Sequence, residues 1–247
     1  SSIGGNLMSF GSNLGKGMKD IRFPPIELAL EKPNGLLAVG GSLDPEWLLY
    51  AYGQGIFPWY EDGQPILWWS PDPRLILTPR LLKVSRSLKK LIKKQSYEIT
   101  FDTAFPEVIQ NCAESRHESA GTWITDEMQA AYSTLHDKGY AHSVEVWARG
   151  ELVGGLYGVA LGKVFFGESM FSKEDNTSKL ALVYLIRQIS SWGFELIDCQ
   201  VSSDHLLTLG AIEISRSEFL QGLNKLVQFE DKIGNWSLDV NVAAHDN

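Results

Sequence analysis

An acidic and an amide side chain stand two positions apart in the run Asp198-Cys199-Gln200. The surrounding segment FELIDCQV is predicted to be a strand. Alternate residues of a strand project to the same side of a sheet, so Asp198 and Gln200 can act on one substrate group. The alternative interpretation is an exposed Asp and Gln at the solvated end of a strand.

Glu168 is a second candidate, because it lies among aromatic and apolar residues in the run VFFGESMF. A carboxylate buried in such surroundings without a partner would carry a large desolvation penalty. We therefore predict that Glu168 has a cationic or hydrogen-bonding partner. That partner is either a substrate group or, in the structural alternative, an Arg or Lys of the protein itself.

Positive charge is concentrated in the segment RLLKVSRSLKKLIKK, which has seven Lys and Arg residues and no acid between Arg80 and Lys94. At helical spacing its apolar residues fall on one side and its cations on the other. We predict an amphipathic helix with a basic outer face. Charge alone favours a solvated lysine face, with contact between this basic face and RNA phosphates as the alternative. The basic face comprises Lys83, Arg86, Lys90, Lys93 and Lys94, and the apolar side comprises Leu81, Val84, Leu88, Leu91 and Ile92.

The elements that must position these residues follow one another after the basic segment. The segment from His142 to Phe171 reads as three consecutive strands joined by short turns, which predicts an antiparallel meander. A helix with cap residues at 176–178 and Gly193 just beyond its end follows, and then the strand FELIDCQV. Before the meander we predict a strand at 97–101, a helix near 105–114, and a helix at 125–138 capped by Thr125 or Asp126.

The order of these elements predicts an α+β fold that resembles the acyltransferase fold of GCN5-related N-acetyltransferases. Residues 23–74 are dense in turn formers and aromatics, which predicts a small N-terminal α/β domain. Its helix is expected at 44–52, with Asp44 as the N-cap. Residues 1–22 are interpreted as a disordered leader or an artificial remnant, so the fold should begin near Phe23, with residues 75–247 forming the acyltransferase-like domain.

Composition bounds the class of protein. The chain has 247 residues, of which 44% are hydrophobic, so it can bury a substantial core. No apolar run approaches the roughly 18 to 20 residues that cross a membrane. Cys112 and Cys199 stand in no metal-binding spacing, so we expect a cytoplasmic protein without metal or cofactor. Composition leaves the oligomeric state open, and a monomer is our expectation. The net charge of −8 argues against general nucleic-acid binding, whereas the positive charge of the basic segment favours such binding locally.

Seven runs in this chain resemble, in order and spacing, the leucyl/phenylalanyl-tRNA–protein transferase family. They lie between about Phe23 and about Phe219 and comprise PNGLLAVGG, QGIFPWY, PILWWSPDPR, GTWIT, GGLYGVALGKVFFGESMFS, LIDCQV and HLLTLGA. The resemblance implies ATP-independent transfer of Leu or Phe, and sometimes Met, from aminoacyl-tRNA to proteins that begin with Arg or Lys. Such transfer marks the acceptor proteins for degradation.

The resemblance also implies roles for individual residues. Asp198 would act as a base through Gln200 on the attacking amine, and Glu168 would hold the ammonium of the aminoacyl group. The apolar pocket for the Leu or Phe side chain would comprise Leu156, Phe165, Met170, Leu185 and Ile197, for which ordinary core packing is the alternative. The 3′ adenosine of the tRNA would contact Trp59 and Trp123, with Tyr52 and Tyr132 as weaker candidates.

Two other functions remain to be weighed against this one. An acetyl-coenzyme A-dependent acetyltransferase would need a Gly-rich pyrophosphate loop before the helix that follows the meander, whereas 173–178 contains no glycine and two acids. A noncatalytic tRNA-binding adaptor would keep the basic helix and the aromatic residues. The presence of Glu168, Asp198 and Gln200 together argues against such an adaptor.

Overall fold

The computed structural model of the protein describes residues 7–10, 21–120 and 124–243. The strands in these residues are β1 (Met8–Phe10), β2 (Leu36–Gly40), β3 (Phe57–Pro58), β4 (Leu67–Trp69), β5 (Arg74–Leu77), β6 (Glu98–Phe101), β7 (Ala141–Ala148), β8 (Glu151–Leu161), β9 (Val164–Ser172), β10 (Leu196–Gln200) and β11 (Ile212–Ile214). The helices are α1 (Pro45–Gly53), α2 (Arg86–Lys94), α3 (Phe105–Ala120), α4 (Asp126–Asp137), α5 (Thr177–Ser191), α6 (Asp204–Thr208), α7 (Arg216–Leu226) and α8 (Val240–Ala243). A short 3₁₀ turn spans Ile26–Leu28.

The strands form two sheets. The smaller sheet has the order β1-β2-β4-β3, and the larger sheet has the order β11-β5-β10-β9-β8-β7-β6. Strands β6 to β9 pair antiparallel with one another, whereas β10 returns through α5 to lie parallel to β9. The predicted meander, the helix after it, the following strand and the α+β class are therefore confirmed.

The central strands of the large sheet are buried on both faces, and alternate residues of β9 contribute to two different cores. Phe166 packs with Phe105 of α3 and Leu48 of α1 on one face. Phe165 packs with Leu185 of α5 on the other face. The N-terminal helix α1 thus contributes to the core that covers the large sheet, which places residues of the N-terminal segment close to β9.

Two small structural features explain how α5 and α4 take their places. A Cβ added at Gly154 of β8 would lie 2.4 Å from Oγ1 of Thr177, so the glycine permits the close approach of the first turn of α5. The Thr125 side chain accepts the backbone N–H of Met128 at 3.1 Å, which caps α4 as predicted. Gly154 of the GGLYG run therefore serves the packing of α5 against the sheet.

The basic helix is shorter than predicted. It begins at Arg86, because the Ser85 side chain accepts the backbone N–H of Leu88 and caps the first turn. Lys83 lies in the preceding loop, where its backbone N–H donates to the carbonyl of Leu209 at 2.8 Å. The predicted single helical face between Arg80 and Lys94 is therefore wrong for residues before the cap. Helix α1 begins after Asp44 as predicted, with Pro45 in its first turn, but the Asp44 side chain makes no capping hydrogen bond.

The fold begins earlier than Phe23. Residues Met8–Phe10 form β1, which pairs in parallel with β2, and the Phe10 ring contacts the rings of Phe23 and Trp47 at centroid distances of 5.3 and 5.0 Å. The expectation of a disordered leader is therefore wrong for these three residues. The boundary between 23–74 and 75–247 stays a prediction, although Arg74 already belongs to a strand of the large sheet.

Within the described part of the chain, no helix is both long enough and apolar enough to cross a lipid bilayer.

Candidate active site

A cavity of about 390 Å³ opens between β8, β9, β10 and α5. Its wall is mainly apolar, and the N-terminal segment covers one side of it. The residues that line it are Phe57, Pro58, Trp59, Leu156, Tyr157, Phe165, Gly167, Glu168, Ser169, Met170, Leu182, Leu185, Ile197, Cys199, Gln200, Val201, Ser203, His205 and Leu206. A volume of this size suits a small-molecule group.

The five apolar residues assigned to a pocket all line this cavity. The strand register explains their proximity, because Leu156 of β8 pairs with Met170 of β9, and Phe165 of β9 pairs with Ile197 of β10. Leu185 reaches the same space from α5. The structure thus brings the five together, and their contact with an aminoacyl side chain stays a prediction.

Glu168 is a buried carboxylate at the wall of the cavity, with 7% of its surface exposed. Its Oε1 atom accepts hydrogen bonds from the Tyr52 hydroxyl and, at 2.9 Å, from the Gln200 amide. The Tyr52 hydroxyl also lies 2.5 Å from the Tyr132 hydroxyl. Among the described residues, no Lys or Arg forms an ion pair with Glu168. The predicted partner is therefore a set of neutral hydrogen-bond donors.

These surroundings alter how the carboxyl group holds its proton. Burial raises the pKa of Glu168 to about 8, although the hydrogen bonds from Tyr52 and Gln200 oppose this change. Burial, and then the nearby charge of Glu168, also raises the pKa of Tyr52 and Tyr132, so both remain neutral. A cation that enters the cavity would favour the ionised carboxylate, because opposite charges attract more strongly away from bulk water.

Asp198 lies in a different environment, although it is only two residues from Gln200. Its side chain is 1% exposed and forms a two-point ion pair with Arg74, at 2.9 Å from Nε to Oδ1 and 2.7 Å from Nη2 to Oδ2. It is absent from the cavity wall. Asp198 therefore does not line the cavity itself, and its expected role as a base acting through Gln200 stays a prediction.

Simple strand alternation misleads here because β10 is irregular. Its register against β5 shifts between Asp198 and Gln200, and Gln200 has a left-handed φ of 66°. The backbone N–H of Gln200 donates to Oδ1 of Asp198 at 2.9 Å. Such a local bulge leaves no mark in the pattern of apolar residues, so the sequence does not predict it.

Arg74 and His205 are residues near the site that sequence analysis did not single out. Arg74 is 1% exposed. It ends the run PILWWSPDPR that resembles the family, but neither its residue type nor its spacing indicated a role at the site. His205 of α6 lines the cavity, and its Nε2 lies 3.4 Å from the Ser178 hydroxyl. Partial burial and the nearby Lys179 lower the pKa of His205.

The four aromatic candidates for contact with the tRNA adenosine differ in where they lie. Trp59 lines the cavity and is 40% exposed, which leaves its ring accessible to a ligand. Tyr52 and Tyr132 are 1% and 0% exposed, so their rings cannot stack on an adenine as predicted. Within the core, the Tyr52 hydroxyl donates to Glu168 and lies beside the Tyr132 hydroxyl. Trp123 lies outside the described residues.

The basic residues lie on a separate surface. Arg86, Lys90, Lys93 and Lys94 are exposed on α2, and Lys83 is exposed in the loop before it. Helix α2 packs through its buried Leu88 and Ile92 into the core on the α5 side of the sheet. No group of three or more His, Cys, Asp and Glu side chains in the described part of the chain could hold a metal ion.

Comparison with known proteins decides the family. The model of leucyl/phenylalanyl-tRNA protein transferase matches residues 76–224, and the model of the N-terminal domain of the same enzyme matches residues 41–72. The chain belongs to the leucyl/phenylalanyl-tRNA–protein transferase family. Members of this family therefore provide the relevant comparison for the cavity and its buried carboxylate.

Individual relatives agree with this assignment. The chain is 60% identical over 220 residues to the leucyl/phenylalanyl-tRNA–protein transferase of Nitrosospira multiformis, covering 89% of this chain and 95% of the relative. It is 59% identical over 199 residues to the Pseudomonas fluorescens protein of the same name, covering 81% and 88% of the two chains. The similarity to this transferase family thus spans most of the molecule.

Solved structures show much weaker similarity. An aminoglycoside acetyltransferase from a soil metagenomic sample matches with a TM-score of 0.37 and 15% identity, covering 58% of this chain and 95% of that one. L-PGS from Bacillus licheniformis matches with a TM-score of 0.39 and 10% identity, covering 63% and 50%. Structural similarity this weak does not indicate which residues form the transferase site.

Proposed function

We propose that the protein transfers Leu or Phe, and also Met, from aminoacyl-tRNA to the N-terminal Arg or Lys of acceptor proteins. The product is a new peptide bond that marks the acceptor for degradation. The observation that carries the proposal is the apolar cavity that contains Glu168, a buried carboxylate whose hydrogen-bond donors among the described residues are the neutral Tyr52 hydroxyl and Gln200 amide. The names of relatives at about 60% identity support the same reaction.

The cavity has the properties that an aminoacyl group requires. An apolar side chain enters against Leu156, Phe165 and Met170, and burial of a Leu or Phe side chain contributes about 1.5 to 3 kcal/mol. The α-ammonium of the same amino acid approaches Glu168 and becomes its cationic partner. A methionine in the wall adapts to side chains of different shape, and Ala is rejected because it buries too little apolar area.

The transfer reaction forms a C–N bond between the acceptor amine and the aminoacyl carbonyl carbon, and breaks the C–O bond to the terminal ribose. The proton lost by the amine finally resides on the ribose hydroxyl that leaves. An α-amine has a pKa of about 7.7 to 8.0, so its deprotonation near pH 7 costs only about 1 kcal/mol. Positioning by Gln200 and Glu168 therefore matters more than a strong base.

The tRNA is held by two further surfaces. Trp59 at the cavity provides an accessible ring on which the terminal adenosine stacks, a contact worth about 1 to 3 kcal/mol. The exposed cations of α2, together with Lys83, bind the phosphates of the acceptor stem. These contacts require no particular base sequence in the tRNA body.

The test is transfer of labelled amino acid from charged tRNA to synthetic peptides. We expect transfer from Leu-, Phe- and Met-tRNA to peptides beginning with Arg or Lys, and little transfer from Ala-tRNA or to a peptide beginning with Ala. Acetyl-coenzyme A serves as the competing donor. Labelling from acetyl-coenzyme A alone, or transfer that ignores the acceptor's first residue, would contradict the proposal.

A further inference from the structure

The ion pair between Arg74 and Asp198 lies behind the cavity wall and uses every oxygen of the carboxylate. Oδ1 of Asp198 accepts from Nε of Arg74 and from the backbone N–H of Gln200, each at 2.9 Å. Oδ2 accepts from Nη2 of Arg74 at 2.7 Å. With 1% exposure and both oxygens engaged, Asp198 does not reach a group in the cavity.

The hydrogen bond to Gln200 holds a backbone conformation that ordinary residues rarely adopt. Gln200 has a φ of 66°, and the strand register shifts at this point. The turn carries the Gln200 side chain into the cavity wall, where its amide donates to Oε1 of Glu168 at 2.9 Å. A carboxylate that accepts the Gln200 N–H therefore determines where the Gln200 amide points.

Arg74 connects this turn to the N-terminal segment. Its Nη1 atom donates to the carbonyl of Gly55 at 3.0 Å. Its guanidinium lies 5.1 Å from the ring centroid of Phe57 and 4.4 Å from that of Phe219. Phe57 lines the cavity. Arg74 therefore contacts a residue of the cavity wall as well as Asp198 behind it, although Arg74 does not line the cavity itself.

We infer that Arg74 is a positioning residue of the transfer reaction, which acts through Asp198 to hold the left-handed turn at Gln200 and so aims the Gln200 amide at Glu168. Asp198 serves as the acceptor in this arrangement and takes no proton from the substrate amine. The inference rests on the proposed function, because it assigns a role within that reaction. A planar guanidinium supplies the two parallel hydrogen bonds that a lysine cannot.

The decisive experiment compares two double variants that both remove the buried charges. A single neutral substitution leaves one buried charge without a partner and lowers stability, so a loss of activity could come from unfolding instead of from a displaced Gln200 amide. Arg74→Gln with Asp198→Asn keeps a side-chain oxygen that can accept the Gln200 N–H. Arg74→Met with Asp198→Ala removes that oxygen. Both variants are assayed after near-ultraviolet circular dichroism shows that they are folded.

We expect the Gln/Asn variant to keep kcat within about tenfold of wild type, and the Met/Ala variant to lose about 100-fold, with KM for Leu-tRNA changed less than about twofold. A general base is worth about 10²- to 10⁴-fold, so if Asp198 takes the proton both variants fall equally by at least 100-fold. Equal loss would overturn the inference, and so would full activity of the Met/Ala variant.

A second variant keeps the charge and therefore the stability. Arg74→Lys retains a cation beside Asp198 but loses the two-point geometry, so we expect kcat to fall about tenfold or more with KM for Leu-tRNA unchanged. Unchanged kcat would overturn the inference. Arg216→Gln is the matched control, because Arg216 donates to the carbonyl of Ser70 near Arg74 without contacting Asp198, and its kcat should equal that of wild type.

Failure of the proposed function is distinguishable from failure of this inference. If wild-type protein transfers no amino acid from any charged tRNA, the proposed function is wrong. If wild type is active but the two double variants lose activity equally, only the role of Arg74 and Asp198 is wrong.

Discussion

Glu168 and Asp198 are both buried carboxylates on adjacent strands of one sheet, yet their partners differ. Asp198 is paired with a guanidinium, whereas Glu168 contacts a tyrosine hydroxyl and a glutamine amide. The first carboxylate is already neutralised by the protein, and the second is open to a cation that comes from outside. We propose that the partner, rather than burial, separates a carboxylate that holds neighbouring groups in place from one that binds a substrate.

The largest expected effect is on stability. Asp198→Asn leaves the Arg74 charge buried without an anionic partner, so we expect the free energy of unfolding to fall by about 3 to 5 kcal/mol. At pH 5, where the folded protein holds Glu168 protonated, Glu168→Gln removes no ion pair, and we expect a change of about 1 kcal/mol or less. Urea unfolding of both variants measures the difference. Equal destabilisation would break the comparison between the two carboxylates.

The next effect is on transfer. Glu168→Gln keeps the oxygen that accepts from Tyr52 and Gln200 but loses the negative charge for the substrate ammonium. A hydrogen bond to a charged group is worth about 1.5 to 3 kcal/mol, so kcat/KM for Leu-tRNA should fall about 10- to 100-fold. Glu174→Gln is the control, because Glu174 pairs with exposed Arg149 and does not line the cavity. Similar losses in both variants would remove the special role of Glu168.

A third effect is the pH dependence of stability. Because burial raises the pKa of Glu168 to about 8, the folded state binds a proton that the unfolded state has released above about pH 5. Stability from this group is complete below the unfolded pKa and declines as pH rises towards the folded pKa. We expect wild type to lose about 1 kcal/mol more than Glu168→Gln between pH 6 and pH 7. Parallel pH profiles for the two proteins would contradict this.

The smallest effect concerns the basic surface, which lies apart from both carboxylates. Lys90→Ala should raise KM for tRNA about two- to threefold, leave kcat unchanged, and lower the slope of log affinity against log salt by about 1. Lys225→Ala on α7 is the control, since Lys225 is also exposed on a helix outside the basic segment. A change in kcat for Lys90→Ala would place α2 closer to the reaction than we propose.

Sequence alone predicted the parts of the fold that depend on local pattern. Apolar periodicity and turn residues gave the meander, α5 and β10, and Thr125 marked the start of α4 correctly. The shortened basic helix was missed because Ser85 and the cations before it suit helix and loop equally well. The strand at Met8–Phe10 was missed because its neighbours are rich in Gly, Ser and Asn.

The candidate site was predicted less completely, because its decisive contacts join distant parts of the chain. The pairing of Arg74 with Asp198 spans 124 positions, and that of Tyr52 with Glu168 spans 116. A tyrosine in a helix is equally suited to a core or to a ligand site, so the buried roles of Tyr52 and Tyr132 needed the structure. The five apolar cavity residues came from family resemblance, since apolar strand residues alone indicate only a core.

Our main proposal is that Glu168 binds the ammonium of an aminoacyl group. The most direct measurement is the affinity of wild type and Glu168→Gln for Leu-tRNA and for N-acetyl-Leu-tRNA, which lacks the ammonium. Wild type should bind Leu-tRNA about tenfold or more tightly than the acetylated form, and the variant should bind both equally. Equal affinities in wild type, or an unchanged preference in the variant, would contradict the account.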